Sequence, residues 1–235
     1  AMTSMKSMKS MKRMMRMLRA PAPGVLVILH LFSAVAAADT PERLAAAADT
    51  LKALASAPDK DIPLSLLKKA RCLVVIPSLK SGAFIVGADY GRGFVSCRNE
   101  KGWSAPGAVK VEGGSFGFQI GGKETEVVML VMNDKGMERL LSTKFTLGGD
   151  ASIAAGPVGR SGTAKTDAAL TAEILSYSRA RGVFAGVSLA GATLREDDSA
   201  NTDMYGKAMK NGEILKGAAQ PPASAAAFMS AVKKY

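Results

Sequence analysis

The feature that most constrains the fold is a series of short apolar runs between Cys72 and Ala192, each interrupted or ended by glycine. Such runs are typical of β-strands, and a glycine inside a strand marks a bend, a bulge or a closely packed second layer. In the segment 183–190, alternate positions form one apolar face and a second face of small side chains, on which Phe184 is the one large residue. The sequence therefore predicts a mostly antiparallel sheet with strong, barrel-like curvature.

Individual strands can be placed within this region. The stretch CLVVIP at 72–77 predicts one strand, and GAFIVGADYGRGFVSCR at 82–98 predicts a hairpin after it. The run EVVMLVM at 126–132 predicts a strand that is buried on both faces.

Helices are expected at both ends of the sheet. At Thr40, an N-cap residue followed by proline begins a run with apolar residues at helical spacing, and Ala57-Pro58-Asp59 ends it. A second short helix is predicted from Pro63, one or two helical turns within 133–143, a helix after Asp197, and a terminal helix after the QPPAS linker. The predicted fold class is a single α+β domain with flanking N- and C-terminal helices.

The first 38 residues have the pattern of a secretory signal peptide. Six basic residues and no acid precede the apolar run GVLVILHLF, which is followed by the small-residue segment SAVAAA. An uncleaved anchor is the alternative, but the run is shorter than the roughly 18 residues that a spanning helix needs. We expect residues 1–38 to be the signal, 39–216 the domain, and 217–235 a linker and C-terminal helix. The expected location of this protein, taken as bacterial, is periplasmic or extracellular, including the periphery of a membrane.

Composition excludes several function classes. The formal charge of the whole chain is +11, but without residues 1–38 it falls to about +5, from 25 basic and 20 acidic residues. With few aromatic residues, this mild excess argues against a nucleic-acid partner. The one histidine, His30, lies in the signal. Histidine-dependent catalysis and histidine-ligated metals are therefore excluded, and neither a metal nor a cofactor is expected.

Cys72 and Cys97 are the two cysteines of the chain. In an exported protein they can form a disulfide. Two buried thiols in strands are the preferred alternative, because sequence does not give the distance between them.

A P-loop-like spacing occurs in GFQIGGKE, residues 117–124. Glu124 stands where a P-loop has serine or threonine, and the following residues predict a strand rather than a helix. A glycine-rich hairpin is the better interpretation.

Two other short motifs are also weak. Ser65 and Lys68 match a Ser-x-x-Lys nucleophile pair, but the companion motifs of those enzymes are absent. The segment 197–203, DDSANTD, lacks the glycine and the glutamate of a calcium-binding loop, so a capped helix start is preferred.

Basic residues near the first helices are candidates for contact with a membrane. Cations bordering an amphipathic helix can lie near lipid phosphates, with the apolar stripe in the headgroup boundary. The preferred alternative from spacing alone is that the stripe packs on the sheet. The candidate residues are Lys52, Lys68, Lys69, Arg71 and Lys80.

Four ordered stretches of the chain together resemble the SYLF domain, a lipid-binding domain. They lie at 69–95, 101–111, 145–160 and 178–192, and the resemblance extends over roughly residues 40–207. The residues that match the signature are Trp103, Pro106, Gly148, Gly149, Gly156, Pro157, Gly159, Arg160, Arg181, Gly182, Phe184, Ala185, Gly186, Ser188 and Gly191. One position departs from it: Ala190 stands where the family commonly has an acidic residue.

The resemblance implies a non-enzymatic module that binds anionic lipids, phosphoinositides in eukaryotes. It implies a membrane helix at residues 40–57 and a basic segment at Lys68, Lys69 and Arg71. The leading hypothesis is therefore peripheral binding to an anionic membrane lipid surface, with a phosphoinositide-like headgroup, by insertion of the amphipathic helix and electrostatic attraction to the basic patch. The alternative is a structural or protein-interaction module of the cell envelope, with protein partners unknown, and a hydrolase is a remote third.

Overall fold

A computed structural model describes most of the chain as one compact unit. It describes residues 39–56, 62–83, 86–116, 121–158, 171–180, 183–186 and 189–235. Within these ranges it describes the backbone alone, without side chains, at residues 83, 86–87, 114–116, 121–122 and 183–186. The predicted signal peptide, residues 1–38, lies outside the described residues. The domain boundaries proposed from sequence stay predictions.

Helix α1 spans Thr40–Ala55 and packs on the sheet. Its N-cap is Asp39 rather than the predicted Thr40, because the Asp39 carboxylate accepts a hydrogen bond from the Thr40 N–H at 2.7 Å. Five of the six residues of the stripe at helical spacing are fully buried, namely Leu44, Ala47, Ala48, Leu51 and Leu54, and the sixth, Ala55, is partly buried. Of the two alternatives for this helix, the structure thus shows packing on the domain.

Within the described residues the sheet has ten strands and is mostly antiparallel, as predicted. The strands are β1 (Cys72–Ala83), β2 (Val86–Asn99), β3 (Gly102–Trp103), β4 (Gly107–Phe116), β5 (Gly121–Val131), β6 (Lys144–Thr146), β7 (Ile153–Ala155), β8 (Ile174–Ala180), β9 (Val183–Gly186) and β10 (Thr193–Glu196). Their order is β6-β10-β4-β2-β1-β5-β8-β7, with β3 paired to β2 and β9 to β8. The pair β7–β8 is parallel.

The predicted hairpin at 82–98 is wrong in its first strand. β1 continues from Cys72 through Pro77 to Ala83 and pairs with β2 itself. A register shift between Val75 and Ser78 accommodates the proline, which has no N–H to donate to the ladder.

The curvature of the sheet follows from one short connection. Thr146 ends β6 and Ile153 begins β7, yet these strands lie at opposite ends of the eight-strand order. Seven residues span at most about 25 Å, whereas seven strand spacings in a flat sheet amount to about 34 Å. The sheet must therefore curl, as the glycine-rich sequence predicts, and the predicted fold class is confirmed.

Both faces of the central strands are buried. Leu73 and Val75 of β1 belong to a core cluster that includes α1, whereas Val74 and Ile76 belong to a second cluster on the opposite face. The second cluster contains Phe145 of β6 together with residues next to β7, so the curled sheet encloses its own core.

The remaining helices cover the ends of the sheet. They are α2 (Leu64–Lys69), α3 (Asp134–Leu141), α4 (Asp198–Tyr205), the short α5 (Asn211–Glu213), a π-type turn (Ile214–Ala218), a 3₁₀ turn (Ala223–Ala225) and α6 (Ala226–Val232). Helix α6 packs against α1, and its Phe228 ring lies 6.0 Å from that of Phe94 in β2. The terminal helix predicted from sequence thus forms part of the core that holds α1.

Candidate functional site

Basic side chains gather where α2 leads into β1. Lys68 and Lys69, at the end of α2, are exposed. Arg71 is half-buried, and its guanidinium lies 2.7 Å from the Asp134 carboxylate at the start of α3. This corner therefore contains two exposed lysines and one arginine that is held by an ion pair.

Arg98 of β2 connects this corner to the end of the chain. Its guanidinium donates hydrogen bonds to the main-chain oxygens of Ala70, Lys68 and Tyr235, the last at 2.6 Å. It also lies over the Trp103 ring, 4.3 Å from the centroid. Burial, and then the charge of Arg71, lower the pKa of Arg98. Arg98 therefore positions the surrounding segments rather than projecting into solvent.

Further basic residues meet at the same place. Lys101 follows Arg98 in the β2–β3 turn, Lys216 comes from the π-type turn, and both line one cavity with Arg71 and Arg98. Lys233 and Lys234 are exposed and line a separate cavity, but they immediately precede Tyr235, whose main-chain oxygen Arg98 binds. We call this surface the basic end: Lys68, Lys69, Arg71, Arg98, Lys101, Lys216, Lys233 and Lys234.

Two residues predicted with this group lie elsewhere. Lys80 is nine residues along β1 from Arg71, about 30 Å at the rise of an extended strand, and stands opposite Glu124 of β5. Lys52 lies on α1 and pairs with Asp49 at 3.1 Å. The structure therefore brings together Lys68, Lys69 and Arg71 but not Lys52 and Lys80.

Sequence reasoning missed the other members of the basic end. Arg98 and Lys101 lie more than 25 residues after Arg71, and Lys216, Lys233 and Lys234 follow more than 110 residues after Lys101, so these groups meet only through the topology. The single local signal was the segment RNEK at 98–101, in which two basic residues flank a turn.

A buried charge network fixes α1 to the rest of the domain. Arg43 of α1 lies 3.8 Å from Asp197, and Arg92 of β2 donates to the same carboxylate at 2.5 Å. Burial alone would raise the pKa of Asp197, but hydrogen bonds from Arg92 and Ser199 and the charge of Arg92 outweigh it, so the pKa lies below its ordinary value. Asp197 also caps α4.

Several signature residues serve packing. A Cβ on Gly156 would lie 2.1 Å from the Tyr177 ring, so only glycine lets this segment pass over that buried side chain. Gly148 has φ +81°, and a Cβ there would lie 3.0 Å from that of Ala190. Gly148 thus lies in the turn that joins the two edge strands, and Gly156 follows the second of them.

The other signature positions have more varied placements. Trp103 stacks on Arg98, and the Pro106 carbonyl accepts a hydrogen bond from the Tyr205 hydroxyl at 2.6 Å. Gly149 is exposed, Pro157 is half-buried, and Gly191 has φ +91°. Phe184, Ala185 and Gly186 lie in β9. The positions outside the described residues are Gly159, Arg160, Arg181, Gly182 and Ser188.

Cys72 and Cys97 form a disulfide between neighbouring positions of β1 and β2. The preferred alternative, two separate thiols, is not what the structure shows, because strand register makes these residues direct cross-strand partners.

The P-loop-like motif leads into a strand, not a helix. Its described part, Gly121–Glu124, belongs to β5. Among the described residues, no three or more His, Cys, Asp or Glu side chains are grouped to hold a metal ion. None of the helices in the described ranges has both the length and the apolar character needed to cross a membrane.

Comparison with known families identifies the chain. The model of the family described as "Ysc84: Las17-binding protein actin regulator" matches residues 112–235. The chain belongs to the Ysc84 family. The SYLF resemblance is thereby confirmed, and the Ysc84 family is described by binding and regulation rather than by catalysis.

Two relatives of the Ysc84 family illustrate the similarity. The chain is 36% identical over 170 residues to "SH3 domain-containing YSC84-like protein 1" of Rattus norvegicus, which covers 72% of this chain and 50% of the relative. It is 35% identical over 168 residues to "LAS seventeen-binding protein 3" of Saccharomyces cerevisiae, which covers 70% and 36%. The chain thus spans half or less of the length of these curated relatives.

Proposed function

We propose that the protein binds anionic lipid surfaces peripherally through its basic end. The observation that carries this proposal is that cations from three chain segments line one cavity, with the exposed lysines of α2 and of the chain end beside it; Glu100 lines the same cavity and Asp134 pairs with Arg71. Such a surface is attracted to anionic headgroups by about 1 kcal/mol per well-placed lysine or arginine. A phosphoinositide-like headgroup is the one that the family resemblance favours.

In the proposed mechanism α1 stays docked. Its insertion into a membrane would remove five apolar side chains from the core, uncover the sheet face on which they pack, and separate Arg43 from Asp197. The exposed lysines of the basic end, in contrast, can approach phosphates without any rearrangement. Binding is therefore electrostatic and falls as ionic strength rises, because salt screens exposed charges beyond about 10 Å at 0.1 M.

The location in this proposal is outside the cytoplasm, in the periplasm or beyond the cell. The support is the signal-like sequence of residues 1–38, and catalysis has no part in the mechanism. Recovery of the protein from fractionated cells, with the N-terminal sequence of the recovered form, tests the location.

The lipid proposal is tested by sedimentation with vesicles of neutral and of anionic lipid, at low and moderate salt. We expect pelleting with anionic vesicles only, and less of it at moderate salt. The double substitution Lys68→Glu and Lys69→Glu should abolish pelleting. A control with the same change of charge, Lys123→Glu and Lys144→Glu, alters two exposed lysines outside the basic end and should pellet like the original protein.

Equal loss in both double variants would show that total charge, not the basic end, controls binding. Full pelleting of a folded Lys68/Lys69 variant would contradict the proposal. Arg71 is left unchanged because its pairing with Asp134 joins β1 to α3, so its substitution would also perturb the fold.

A second candidate function is binding to a protein partner. The family description, which names Las17 binding and actin regulation, favours it. Cosedimentation with filamentous actin, in the same buffers and with the same two double variants, tests one such partner. Pelleting with actin but with neither type of vesicle would favour this second function over the first.

A further inference from the structure

The basic end contains a cavity with a volume of about 620 Å³. It lies between the end of β2, the β2–β3 turn, helix α3 and the π-type turn. This volume is in the range of small-molecule sites in proteins, which is roughly 300–1,000 Å³. The cavity is large enough for a ligand well beyond the size of a single phosphate ion.

One side of the cavity is cationic. Arg71, Arg98, Lys101 and Lys216 line it, and among the described residues Glu100 is the one carboxylate in its wall. The two arginines are held by other contacts, whereas no carboxylate of the described residues lies within ion-pair distance of either lysine amine. These lysines are therefore available to a bound anion.

Another part of the lining is apolar. Met137 and Leu141 of α3 are half-buried, and Leu215 is buried beneath them. Cys97, which forms the disulfide with Cys72, also lines the cavity. A small inorganic anion would leave this apolar surface in contact with water, so the cavity suits a ligand that combines a charge with a hydrocarbon portion.

The walls are fixed before any ligand arrives. The disulfide joins β1 to β2, and the Arg71–Asp134 pair joins β1 to α3. The β2–β3 turn rests on the π-type turn, where a Cβ on Gly217 would lie 3.3 Å from the Asn99 amide nitrogen. A cavity with walls tied in this way loses little freedom when it binds a ligand.

We propose that this cavity binds one molecule of a single-chain anionic amphiphile. Its phosphate or carboxylate group lies between Lys101 and Lys216, and its chain lies against Met137, Leu141 and Leu215. This goes beyond attachment to a lipid surface, because the ligand is a single molecule and no bilayer is needed.

Calorimetry with three probes below their micelle-forming concentrations tests the chemistry of the site. The probes are dodecyl phosphate, dodecyltrimethylammonium with the same chain and opposite charge, and inorganic phosphate with no chain. We expect one-to-one binding of dodecyl phosphate and at least roughly tenfold weaker binding of the other two. Equal binding of inorganic phosphate, equal binding of the cationic detergent, or no binding of dodecyl phosphate would overturn the proposal.

Substitution of the two lysines tests the location of the site. Lys101→Glu and Lys216→Glu together should weaken dodecyl phosphate binding at least roughly tenfold, whereas Lys123→Glu and Lys144→Glu should not change it. Trp103, the single tryptophan of the chain, stacks on Arg98 in the cavity wall and gives a second readout by fluorescence. Unchanged affinity in a folded Lys101/Lys216 variant would show that the amphiphile binds elsewhere.

Different experimental results would contradict the surface proposal and the cavity proposal. The Lys68→Glu and Lys69→Glu variant should lose vesicle pelleting but keep dodecyl phosphate binding, because neither residue lines the cavity. Vesicle binding without amphiphile binding would overturn the cavity proposal alone. Amphiphile binding without vesicle binding would leave the cavity proposal standing and overturn the surface proposal.

Discussion

At the scale of single residues, the structure gives physical roles to amino acids that sequence alone left unexplained. Gly156 matched the SYLF signature, but no pattern in the chain indicates that its missing side chain makes room for Tyr177. The aspartate at 197 was expected to begin a helix. It does so, and it also holds two arginines, because the fold brings Arg43 and Arg92 to it from α1 and β2.

Gly156→Ala should destabilise the domain by about 1–3 kcal/mol, because the added Cβ would lie 2.1 Å from the Tyr177 ring in a core that has no room to yield. Gly149→Ala is the matched control, since its nearest heavy atom would be 3.5 Å away in ordinary contact. Urea denaturation of both variants measures the difference. Equal midpoints for the two would rule out the packing role of Gly156.

Asp197→Asn should lower the free energy of unfolding at neutral pH by about 3 kcal/mol, since it leaves two arginines without a carboxylate. The pKa of Asp197 is lower in the folded protein than the ordinary value near 3.9, so its contribution is fully present above about pH 5. That contribution is lost as the pH falls through the folded-state pKa. Denaturant midpoints at several pH values should therefore converge for the original and variant proteins in acid, and a constant difference would contradict this assignment.

At the scale of helices and strands, much of the secondary structure was predictable because its periodicity is local. The spacing of apolar residues alone predicts both the buried stripe of α1 and the buried strand β5. The first strand of the predicted hairpin was placed wrongly, because Pro77 is typical of a strand end. In the structure a register shift lets β1 continue past this proline. The pairing of Cys72 with Cys97 depends on the same strand register, which sequence does not provide.

Reduction of the Cys72–Cys97 disulfide should lower the free energy of unfolding by about 3 kcal/mol, as expected for a loop of this size in the chain-entropy model. The comparison is urea denaturation with and without dithiothreitol. A variant with both cysteines changed to serine should be as unstable as the reduced protein and indifferent to reductant. If reductant lowered the stability of that variant too, the effect could not be assigned to this disulfide.

At the scale of the whole molecule, the basic end could be predicted only in part. Lys68, Lys69 and Arg71 are close in sequence, and a local pattern found them. The contributions of the β2–β3 turn, the π-type turn and the chain end require the topology, as does the separation of Lys80 from the group. Local composition thus indicated that a basic surface exists, whereas the strand order of the sheet determines which residues belong to it.

Vesicle binding should leave α1 protected from hydrogen exchange, because the basic end can contact phosphates while the helix remains packed between the sheet and α6. Exchange measured by mass spectrometry with and without anionic vesicles tests this. Peptides from residues 64–71 should show slower exchange on vesicles, whereas those from 40–55 should not change. Faster exchange in α1 on vesicles would mean that the helix undocks and inserts.

The short connection between β6 and β7 also has a consequence for self-association. A sheet with many strands usually ends in two long edges whose unpaired N–H and C=O groups can recruit strands from other chains. Here the terminal strands β6 and β7 have three residues each, and the turn between them draws these edges toward one another. The curled sheet therefore offers little template for edge-to-edge aggregation, despite its apolar and glycine-rich strands.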